Sequence, residues 1–359
     1  MFSIISVELL LAAVIPPLPD TPFVLYGNGE GPYAMHGFAF NSSAQLWEKC
    51  RGTDERPIAV DGPLRCATLN VLHDNANADV LFHEVRYQAI CKELQSLNAH
   101  IIGLNEVTRN FLRRLLEEDW VRKDYVLSAI LDHSECAGLA ATRGHKSFGN
   151  VILSKIPPEA IEYIPCPNRT REFHVASLRL AGEKNGKSVF IAVASVHFQA
   201  FPWINESRRQ AELHALAAEL QALNRNYDAC IMMGDFNFHR ESENSSIPFG
   251  WQEIPSIVAL GPTWCNGENP MIEAMLPSYN IYNGFGTGWG WPNLLRLDRV
   301  LVQGNGLNSN EVNARLFSNR PVYECTKHTD DDEVTVWKDY LHPSDHYGIV
   351  FEIPVSPRE

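Results

Sequence analysis

The chain has 359 residues, of which 45% are hydrophobic and 20% are charged. This composition is typical of a globular protein with enough apolar material for a core, and it excludes a fibrous or largely disordered chain. The 30 Lys and Arg residues against 43 Asp and Glu residues give a net charge of −13. That charge argues against a surface that coats nucleic acid non-specifically, although a small basic groove or an acidic, metal-collecting pocket remains compatible with it.

The eight cysteines are scattered along the chain, and none belongs to a CxxC pair. Zinc ribbons and thioredoxin-like redox motifs depend on such pairs, so we expect neither. We interpret all eight thiols as reduced and structural, which is typical of a cytoplasmic or nuclear protein.

The first sixteen residues are apolar but match neither a usual secretory signal nor a usual membrane helix. Glu8 interrupts them and no Lys or Arg precedes Lys49. A secretory signal begins with positive charge, and a spanning helix needs about 20 uncharged apolar residues. We therefore expect a segment packed on the domain and no stable membrane span. The alternative is a secreted or membrane-associated protein in which residues 1–16 act as a signal or an anchor.

A loop-rich stretch extends to about Gly62, and short apolar runs follow at regular intervals. Their length and composition predict strands over 64–70, 101–107, 150–154, 174–180, 188–197, 229–235, 296–303 and 347–353. Apolar residues at helical spacing predict helices over 82–97, 108–118 and 207–224. Many strands with few helices favour two packed sheets with helices outside. We expect one domain over 64–355, with residues 1–63 forming an apolar segment and a loop-rich extension packed on it.

Polar residues stand at or near the ends of several of these apolar strands. They are Asn70, Glu106, His197, Asp235, Asn237, Asp298, Asp345 and His346. If the strand ends meet at one edge, these side chains form a pocket of oxygen ligands and two imidazoles. Carboxylates such as Glu106, Asp235 and Asp345 suit Mg²⁺, which takes one or two of them and completes its shell with water and phosphate oxygens.

Each of these residues also has a purely structural interpretation. Asn70 occupies a position typical of a turn residue, and Glu106 could stabilise the start of the following helix. His197 could be a hydrogen-bonded core histidine, and Asp298 with Arg299 a surface ion pair. The prediction of a site therefore depends on all of the residues occurring together in this order.

Seven motifs, taken in that order, resemble those of the endonuclease/exonuclease/phosphatase superfamily over about residues 64–353. They are Thr68-x-Asn70, Asn105-Glu106-Val107, Gly149–Lys155, Ser195-Val196-His197, Gly234-Asp235-Phe236-Asn237, Leu297-Asp298-Arg299 and Ser344-Asp345-His346. The resemblance implies a four-layer α/β/β/α sandwich of two mostly antiparallel sheets flanked by helices. It also implies a metal-dependent phosphoric ester hydrolase.

Within the superfamily, the chain most resembles the 5′ tyrosyl-DNA phosphodiesterases. Glu243–Pro248, Leu260–Trp264 and Arg296–Val300 are similar to three of their sequence elements. Three features depart from their pattern: Asn105 in place of Gln, Tyr347 in place of Trp, and a longer insertion over Cys265–Leu295. The resemblance implies a Mg²⁺-dependent phosphodiesterase, with Mn²⁺ as the alternative ion, that acts at a DNA 5′ end in DNA repair. We expect a monomer.

The resemblance implies a role for each matched residue. Glu106 would bind the metal ion, with Asn70 and Asp345 completing or orienting its shell. Asp235 would act as a general base on the attacking water. The remaining implied roles are hydrogen bonds to the phosphoryl oxygens from Asn237 and His346, orientation of His346 by Asp298, and a place near the phosphate for His197.

Arg109, Arg209 and Trp264 are the candidate substrate contacts. The two arginines follow Glu106 and the His197 loop, and the tryptophan, like Trp289 and Trp291, offers a face on which a splayed base could stack. The structural alternative places the arginines on solvated helix faces and packs the tryptophans against loops.

Two other functions remain open from the sequence. A phosphoinositide phosphatase or a sphingomyelinase-type phosphodiesterase would use the same fold, with the apolar N-terminus as an interfacial anchor. A non-catalytic scaffold of the same fold is disfavoured, because each expected metal and phosphate position holds a suitable residue.

Overall fold

The structure is a computed structural model that divides the chain into two units, Met1–Glu30 and Gly31–Glu359. It describes residues 33–35, 37–50, 58–60, 62–74, 81–130, 148–167, 172–181, 188–200, 205–223, 227–266, 268–269, 271–272, 294–322 and 341–355. Residues 1–16 lie outside these ranges, as do Trp289, Trp291 and most of the 265–295 insertion.

Strands outnumber helices in the described residues, as the sequence predicts. The helices are α1 (His83–Leu97), α2 (Arg109–Glu117), α3 (Asp119–Asp124), α4 (Glu206–Leu223) and α5 (Pro255–Val258). The strands are β1 (Tyr33–Met35), β2 (Gly37–Asn41), β3 (Leu46–Cys50), β4 (Leu64–Asn70), β5 (Ile101–Thr108), β6 (Val126–Leu127), β7 (Phe148–Ser154), β8 (Ala160–Pro165), β9 (Glu172–Ala181), β10 (Ser188–His197), β11 (Ala229–Asp235), β12 (Gln252–Glu253), β13 (Trp264–Cys265), β14 (Leu294–Leu295), β15 (Asp298–Gly304), β16 (Asn313–Phe317) and β17 (Gly348–Ile353).

These strands form two large sheets and one short pair, β13 with β14. The larger sheet has the strand order β16-β17-β4-β5-β7-β6-β2-β3, and the other has the order β1-β8-β9-β10-β11-β15-β12. Among the described strand pairs, only β4 with β5 and β10 with β11 are parallel. The sheets are therefore mostly antiparallel, as expected. Residues 33–50 of the predicted extension contribute strands to both sheets.

Apolar side chains fill the space between the two sheets and cover both outer faces. The cluster between the sheets contains Cys66 and Ile101 from one sheet and Leu178 and Ile231 from the other, all fully buried. A second cluster packs α1 and α2 on the outer face of the eight-stranded sheet, and a third packs α4 on the outer face of the seven-stranded sheet. This arrangement is the four-layer α/β/β/α sandwich, and the predicted fold class is confirmed.

Each sheet has a strand–helix–strand unit near its centre. Helix α1 connects the parallel strands β4 and β5, and α4 connects the parallel strands β10 and β11. Helix α1 buries residues at helical spacing, including Tyr87, Ile90 and Leu94, which explains why this segment forms a helix on the sheet. Parallel strands joined in this way end at the same edge of their sheet, so polar residues at those ends come close together.

The described thiols agree with the interpretation of reduced, structural cysteines. Among the described residues, the thiols at positions 50, 66, 91, 230 and 265 are free, whereas Cys136 and Cys325 lie outside the described residues. Burial raises the pKa of Cys230 to about 12, which keeps that thiol protonated and unreactive. None of the described helices is long and apolar enough to cross a membrane.

We predict that Gly234→Ala destabilises the fold by about 3 kcal/mol or more. Gly234 has φ +144°, and a Cβ atom there would lie 2.0 Å from the carbonyl oxygen of Val196 on the neighbouring strand. Gly261→Ala is the matched control, because Gly261 also has a positive φ, +80°, but has no atom within 4 Å of the new Cβ. The control should lose only about 1–2 kcal/mol. Denaturant unfolding measures both losses, and equal losses would contradict the steric explanation.

Candidate active site

Strand register brings three of the predicted site residues to one level of the seven-stranded sheet. His197 on β10 pairs with Asp235 on β11, and Asp235 pairs with Asp298 on β15. In the facing sheet, Asn70 on β4 pairs with Asn105 on β5. The two sets lie at the strand ends, where the apolar core stops.

Glu106 enters the site from a bulge in β5. The pairing of β5 with β7 shifts between Leu104 and Val107, and the backbone of Glu106 has φ +58°. A non-glycine residue in this left-handed region costs about 1–3 kcal/mol, so its surroundings must hold it there. The main-chain N–H of His73 donates to Glu106 Oε2 at 3.0 Å, and Asn70 Nδ2 donates to Oε1 at 3.1 Å. The bulge thus turns a carboxylate out of the sheet and into the pocket.

One carboxylate oxygen, Asp235 Oδ2, is the centre of the site. It accepts hydrogen bonds from Asn70 Nδ2 at 3.0 Å and from Asn237 Nδ2 at 3.1 Å. The Nε2 atoms of His197 and His346 lie 3.6 and 3.8 Å from it. The other oxygen, Oδ1, accepts from the main-chain N–H of Asn237 at 2.8 Å. The side chain is buried, with 1% of the residue exposed.

Glu106 and Asp235 come from different sheets but point into the same pocket. Asn70 Nδ2 bridges them with hydrogen bonds of 3.1 and 3.0 Å. His197 Nε2 also lies between them, 3.7 Å from Glu106 Oε1 and 3.6 Å from Asp235 Oδ2. The convergence of side chains that the sequence predicts is present in the structure.

His346 is oriented by a carboxylate on β15. Its Nδ1 lies 2.8 Å from Asp298 Oδ2, which leaves Nε2 facing Asp235. Asp298 is fully buried, and its main-chain N–H donates to Thr263 Oγ1 at 3.0 Å. The Ser344 hydroxyl accepts from the main-chain N–H of His346 at 3.2 Å and donates to the carbonyl oxygen of Asn70 at 2.6 Å.

Burial and neighbouring charges separate the protonation behaviour of the two central carboxyl groups. Burial acts to raise the pKa of Glu106, but the side chains of His73 and His197 and the hydrogen bonds to it outweigh burial and lower the pKa to about 2. Burial raises the pKa of Asp235 to about 7, against an opposing effect from His346. Glu106 is thus ionised at neutral pH, while Asp235 is able to gain or lose a proton.

Asp345 belongs to the same cluster. Its Oδ2 lies 4.0 Å from His346 Nε2, and its Oδ1 lies 3.3 Å from Ser344 Oγ. Burial raises the pKa of Asp345, with a further contribution from the negative charge of Glu106. The effect of Glu106 on the pKa of Asp345 shows that negative charge is concentrated where these two carboxylates lie.

Asn105, which stands where the 5′ tyrosyl-DNA phosphodiesterases have Gln, connects the two sheets. Its Oδ1 accepts from the main-chain N–H of Asp235 at 3.1 Å. Its Nδ2 donates to Asn150 Oδ1 at 2.9 Å and to Ser195 Oγ at 3.3 Å. The shorter Asn side chain therefore spans the distance between the sheets at this level and fixes the backbone that carries Asp235.

Sequence reasoning missed His73 and Phe148, which lie beside Glu106 and His197. The two rings are stacked, with centroids 4.9 Å apart and an interplanar angle of 6°. The Phe148 ring also lies 5.7 Å from the ring of His197. The one sequence signal for His73 is its place three residues after Asn70 in the segment that leaves β4.

The predicted substrate contacts are not brought together as a group. Arg109 is exposed at the start of α2, directly after β5. Arg209, in contrast, is fully buried and donates through Nε and Nη2 to Glu243 at 2.7 and 3.0 Å. A side chain without exposed surface cannot contact a substrate outside the domain, so the prediction for Arg209 is wrong. Its role is to hold the segment that follows β11.

Trp264 is also a packed residue. Only 7% of it is exposed, and it belongs to an apolar cluster with Ile272, Leu295 and Leu297. So little exposed surface does not provide a face for a stacked base, and the structural interpretation of Trp264 is the correct one.

The donor set of the pocket fits a hard divalent cation. Its side chains are carboxylates, amides and imidazoles, and Glu106 is ionised at neutral pH because of its low pKa. Among the described residues, no three His, Cys, Asp or Glu side chains are gathered as a preformed cage. A cage is not required, because Mg²⁺ binds through one or two carboxylates together with water and phosphate oxygens.

The sequence profile described as the Endonuclease/Exonuclease/phosphatase family matches residues 67–346. No curated protein matches the sequence. Truncated TDP2 from Caenorhabditis elegans has a similar structure, with a TM-score of 0.56 and 17% identity over 81% of this chain and 97% of that chain. D. rerio TDP2 complexed with a single-strand DNA product has a TM-score of 0.52 and 15% identity over 82% of this chain and 100% of that chain. A functionally unknown conserved protein from Enterococcus faecalis V583 has a TM-score of 0.53 and 16% identity over 81% of this chain and 100% of that chain. At these identities the similarities establish the fold.

We predict that Glu243→Gln destabilises the protein by about 3–5 kcal/mol, because it leaves the charge of Arg209 buried without its carboxylate. The matched control is Glu206→Gln, which breaks the exposed ion pair of Glu206 with Arg240 at 3.4 Å. That pair lies in water, so the control should cost less than about 1 kcal/mol. Denaturant unfolding of both variants is the measurement. A small loss for Glu243→Gln would show that Arg209 is not held as described.

Proposed function

Since the chain belongs to the endonuclease/exonuclease/phosphatase family, whose members are metal-dependent phosphoesterases and nucleases, we propose that it is a phosphodiesterase acting at a DNA 5′ end with Mg²⁺. The observation that carries this proposal is the arrangement around Asp235 Oδ2. Two amides and two imidazoles surround this oxygen at 3.0–3.8 Å, and the ionised Glu106 lies on the far side of Asn70 and His197. Phosphodiester hydrolysis needs a base for water, donors for the phosphoryl oxygens and a site for a cation.

Asp235 is the general base in this proposal. A base works best when its pKa is close to the working pH, and burial raises the pKa of Asp235 to about 7. The hydrogen bonds from Asn70 and Asn237 fix the carboxylate, so its orientation is set before a substrate arrives. Asp235 would accept a proton from the attacking water.

Asn237 and His346 are the donors to the phosphoryl oxygens. The Nε2 atom of His346 faces Asp235, so a phosphate beside that carboxylate lies within its reach. Both N–H groups of Asn237 Nδ2 already have acceptors, Asp235 Oδ2 and the carbonyl oxygen of Phe198, so a phosphoryl oxygen would take the place of one of them. Asp298 accepts the Nδ1 proton of His346, which orients the imidazole and raises its pKa against the effect of burial. The imidazole would therefore carry a proton at Nε2 and stabilise the negative charge that develops on the phosphoryl group.

Glu106 and Asp345 are the residues that would hold the metal ion. Asn70 orients the shell, because its Nδ2 donates to Glu106 and Asp235 while its Oδ1 accepts from the main-chain N–H of Leu72. When bound, a divalent ion would neutralise charge on the phosphoryl oxygens. The alternative ion is Mn²⁺, which prefers the same ligand types.

Two features support a DNA 5′ end as the substrate. One is the similarity of the fold to the TDP2 structures, one of which contains a single-strand DNA product. The other is the exposed Arg109 at the start of α2, the helix that follows Glu106 directly. A cation at that rim would contact the phosphates next to the scissile ester. We propose that the enzyme acts as a monomer in the cytoplasm or nucleus, with a role in DNA repair.

We predict that the wild-type protein with Mg²⁺ hydrolyses a 5′-tyrosyl oligonucleotide faster than a plain duplex, an inositol polyphosphate or sphingomyelin. Asp235→Asn should lower kcat by a factor of about 100 or more, because the base is lost while the shape of the pocket is kept. The matched control is Asp119→Asn, which removes an exposed carboxylate at the start of α3 and should leave kcat unchanged. Initial rates over the panel are the measurement.

The same panel distinguishes the alternatives. A preference for inositol polyphosphate or sphingomyelin would replace the DNA substrate and keep the site. Full activity of Asp235→Asn would reject the site itself, and inactivity of the wild type on every ester would favour a non-catalytic scaffold.

A second prediction concerns His197 and the leaving group. A phenolate leaves with little help, because the pKa of a phenol is about 10, whereas an alkoxide needs a proton. His197→Ala should therefore lower kcat about 100-fold on an alkyl phosphodiester and less than about 10-fold on an aryl phosphodiester. Asp235→Asn serves as the comparison, because loss of the base affects both esters alike. Equal losses on both esters after His197→Ala would remove leaving-group assistance from the mechanism.

A further inference from the structure

Arg86 is a fully buried arginine beneath the candidate active site. It lies on α1 with no exposed surface, and no carboxylate among the described residues is within 4 Å of it. Arg209, the other large arginine buried to this degree, is paired with Glu243. A buried charge without an ion pair is costly, so Arg86 must be compensated in another way.

Five hydrogen bonds satisfy the Arg86 guanidinium. Its nitrogens donate to four main-chain carbonyl oxygens, those of Leu81 at 3.0 Å, Val71 at 3.1 Å, Pro343 at 2.8 Å and Leu72 at 3.2 Å. The fifth contact is with His83 Nδ1 at 3.0 Å. A guanidinium has five N–H groups, so this count uses all of them.

Three of the five acceptors belong to the two segments that carry site residues. Val71 and Leu72 directly follow Asn70, and Pro343 precedes Ser344-Asp345-His346. One nitrogen, Nη1, contacts both segments, because it donates to Val71 and to Pro343. The hydrogen bond from Ser344 Oγ to the carbonyl oxygen of Asn70 is a second connection between them.

The charge of Arg86 also acts on the pocket above it. Burial lowers the pKa of Arg86, while Tyr87 and the carboxylates of Asp345, Asp74 and Glu106 raise it. Because its hydrogen-bond partners are uncharged, the positive charge is not cancelled locally. It offsets part of the repulsion between the buried carboxylates.

We propose that Arg86 is a positioning residue, which holds the segment of Asn70 against the segment of Asp345 and His346 and so sets the spacing of the groups that act on the phosphoester. The catalytic part of this inference rests on the proposed function. Lysine does not replace arginine here, because one ammonium group cannot reach four carbonyl oxygens spread around a planar fork.

The test compares Arg86→Lys with Leu94→Ala in the full-length protein. Leu94 is a fully buried residue of the same helix, two turns further on, and packs in the apolar cluster without contacting the site segments through hydrogen bonds. Both variants should lower the melting temperature. Hydrogen exchange followed by mass spectrometry should show faster exchange of segments 70–74 and 341–347 in Arg86→Lys only.

Kinetics on the 5′-tyrosyl oligonucleotide with Mg²⁺ provide the second measurement. Arg86→Lys should lower kcat about 100-fold, because a displacement of about 1 Å in the reacting groups has an effect of that size. Leu94→Ala, assayed well below its melting temperature, should keep kcat. His83→Ala removes one of the five contacts and is the milder variant to use if Arg86→Lys does not fold. It should change exchange and kcat in the same direction by smaller amounts.

Unchanged exchange in either segment of the folded Arg86 or His83 variant would overturn the proposal, as would equal changes in Leu94→Ala. The proposed function fails separately, through an inactive wild type. In that case the exchange measurement still decides whether Arg86 joins the two segments.

Discussion

The burial of Asp235 is the constraint on which the rest of the site depends. A carboxylate with 1% exposure is costly unless polar groups replace the water it has lost. In this protein, the replacements come from Asn237, two residues further along the chain, and from three distant residues, Asn70, His197 and His346. None of these residues can move without leaving the carboxylate short of a partner. The chemistry of the site and its rigidity therefore have the same origin.

Strain and support are balanced around this carboxylate. Glu106 and Asn237 both have positive φ values, +58° and +51°, which are unfavourable for residues with side chains. Hydrogen bonds hold both residues in place. Glu106 accepts from His73 and Asn70, and Asn237 donates to Asp235 and to the carbonyl oxygen of Phe198. Two residues of the cluster thus keep left-handed backbone conformations that their hydrogen bonds stabilise.

The sequence predicts the layers of the fold and the residues of the site better than it predicts the edge strands of the sheets. Strands such as β4, β10 and β11 are continuous apolar runs buried on both faces, so their bounds can be read directly. Edge strand β3 is mostly exposed and reads Leu46-Trp47-Glu48-Lys49-Cys50, a pattern without a clear period. The eight residues that match the superfamily converge because each lies within a recognisable strand or close to one of its ends. The roles of Arg209 and Trp264 depend on burial by distant segments, which no local pattern reports.

The two strand–helix–strand units supply four of the polar residues. The unit of β4, α1 and β5 carries Asn70 and Glu106, and the unit of β10, α4 and β11 carries His197 and Asp235. His346 belongs to neither unit and lies just before β17. Neither unit holds a complete set by itself. Asp345 lies in the same segment as His346. A chain that stops before residue 345 would hold Glu106 and Asp235 without the carboxylate and the imidazole of this segment. The full cluster therefore forms only when nearly all of the domain has been synthesised.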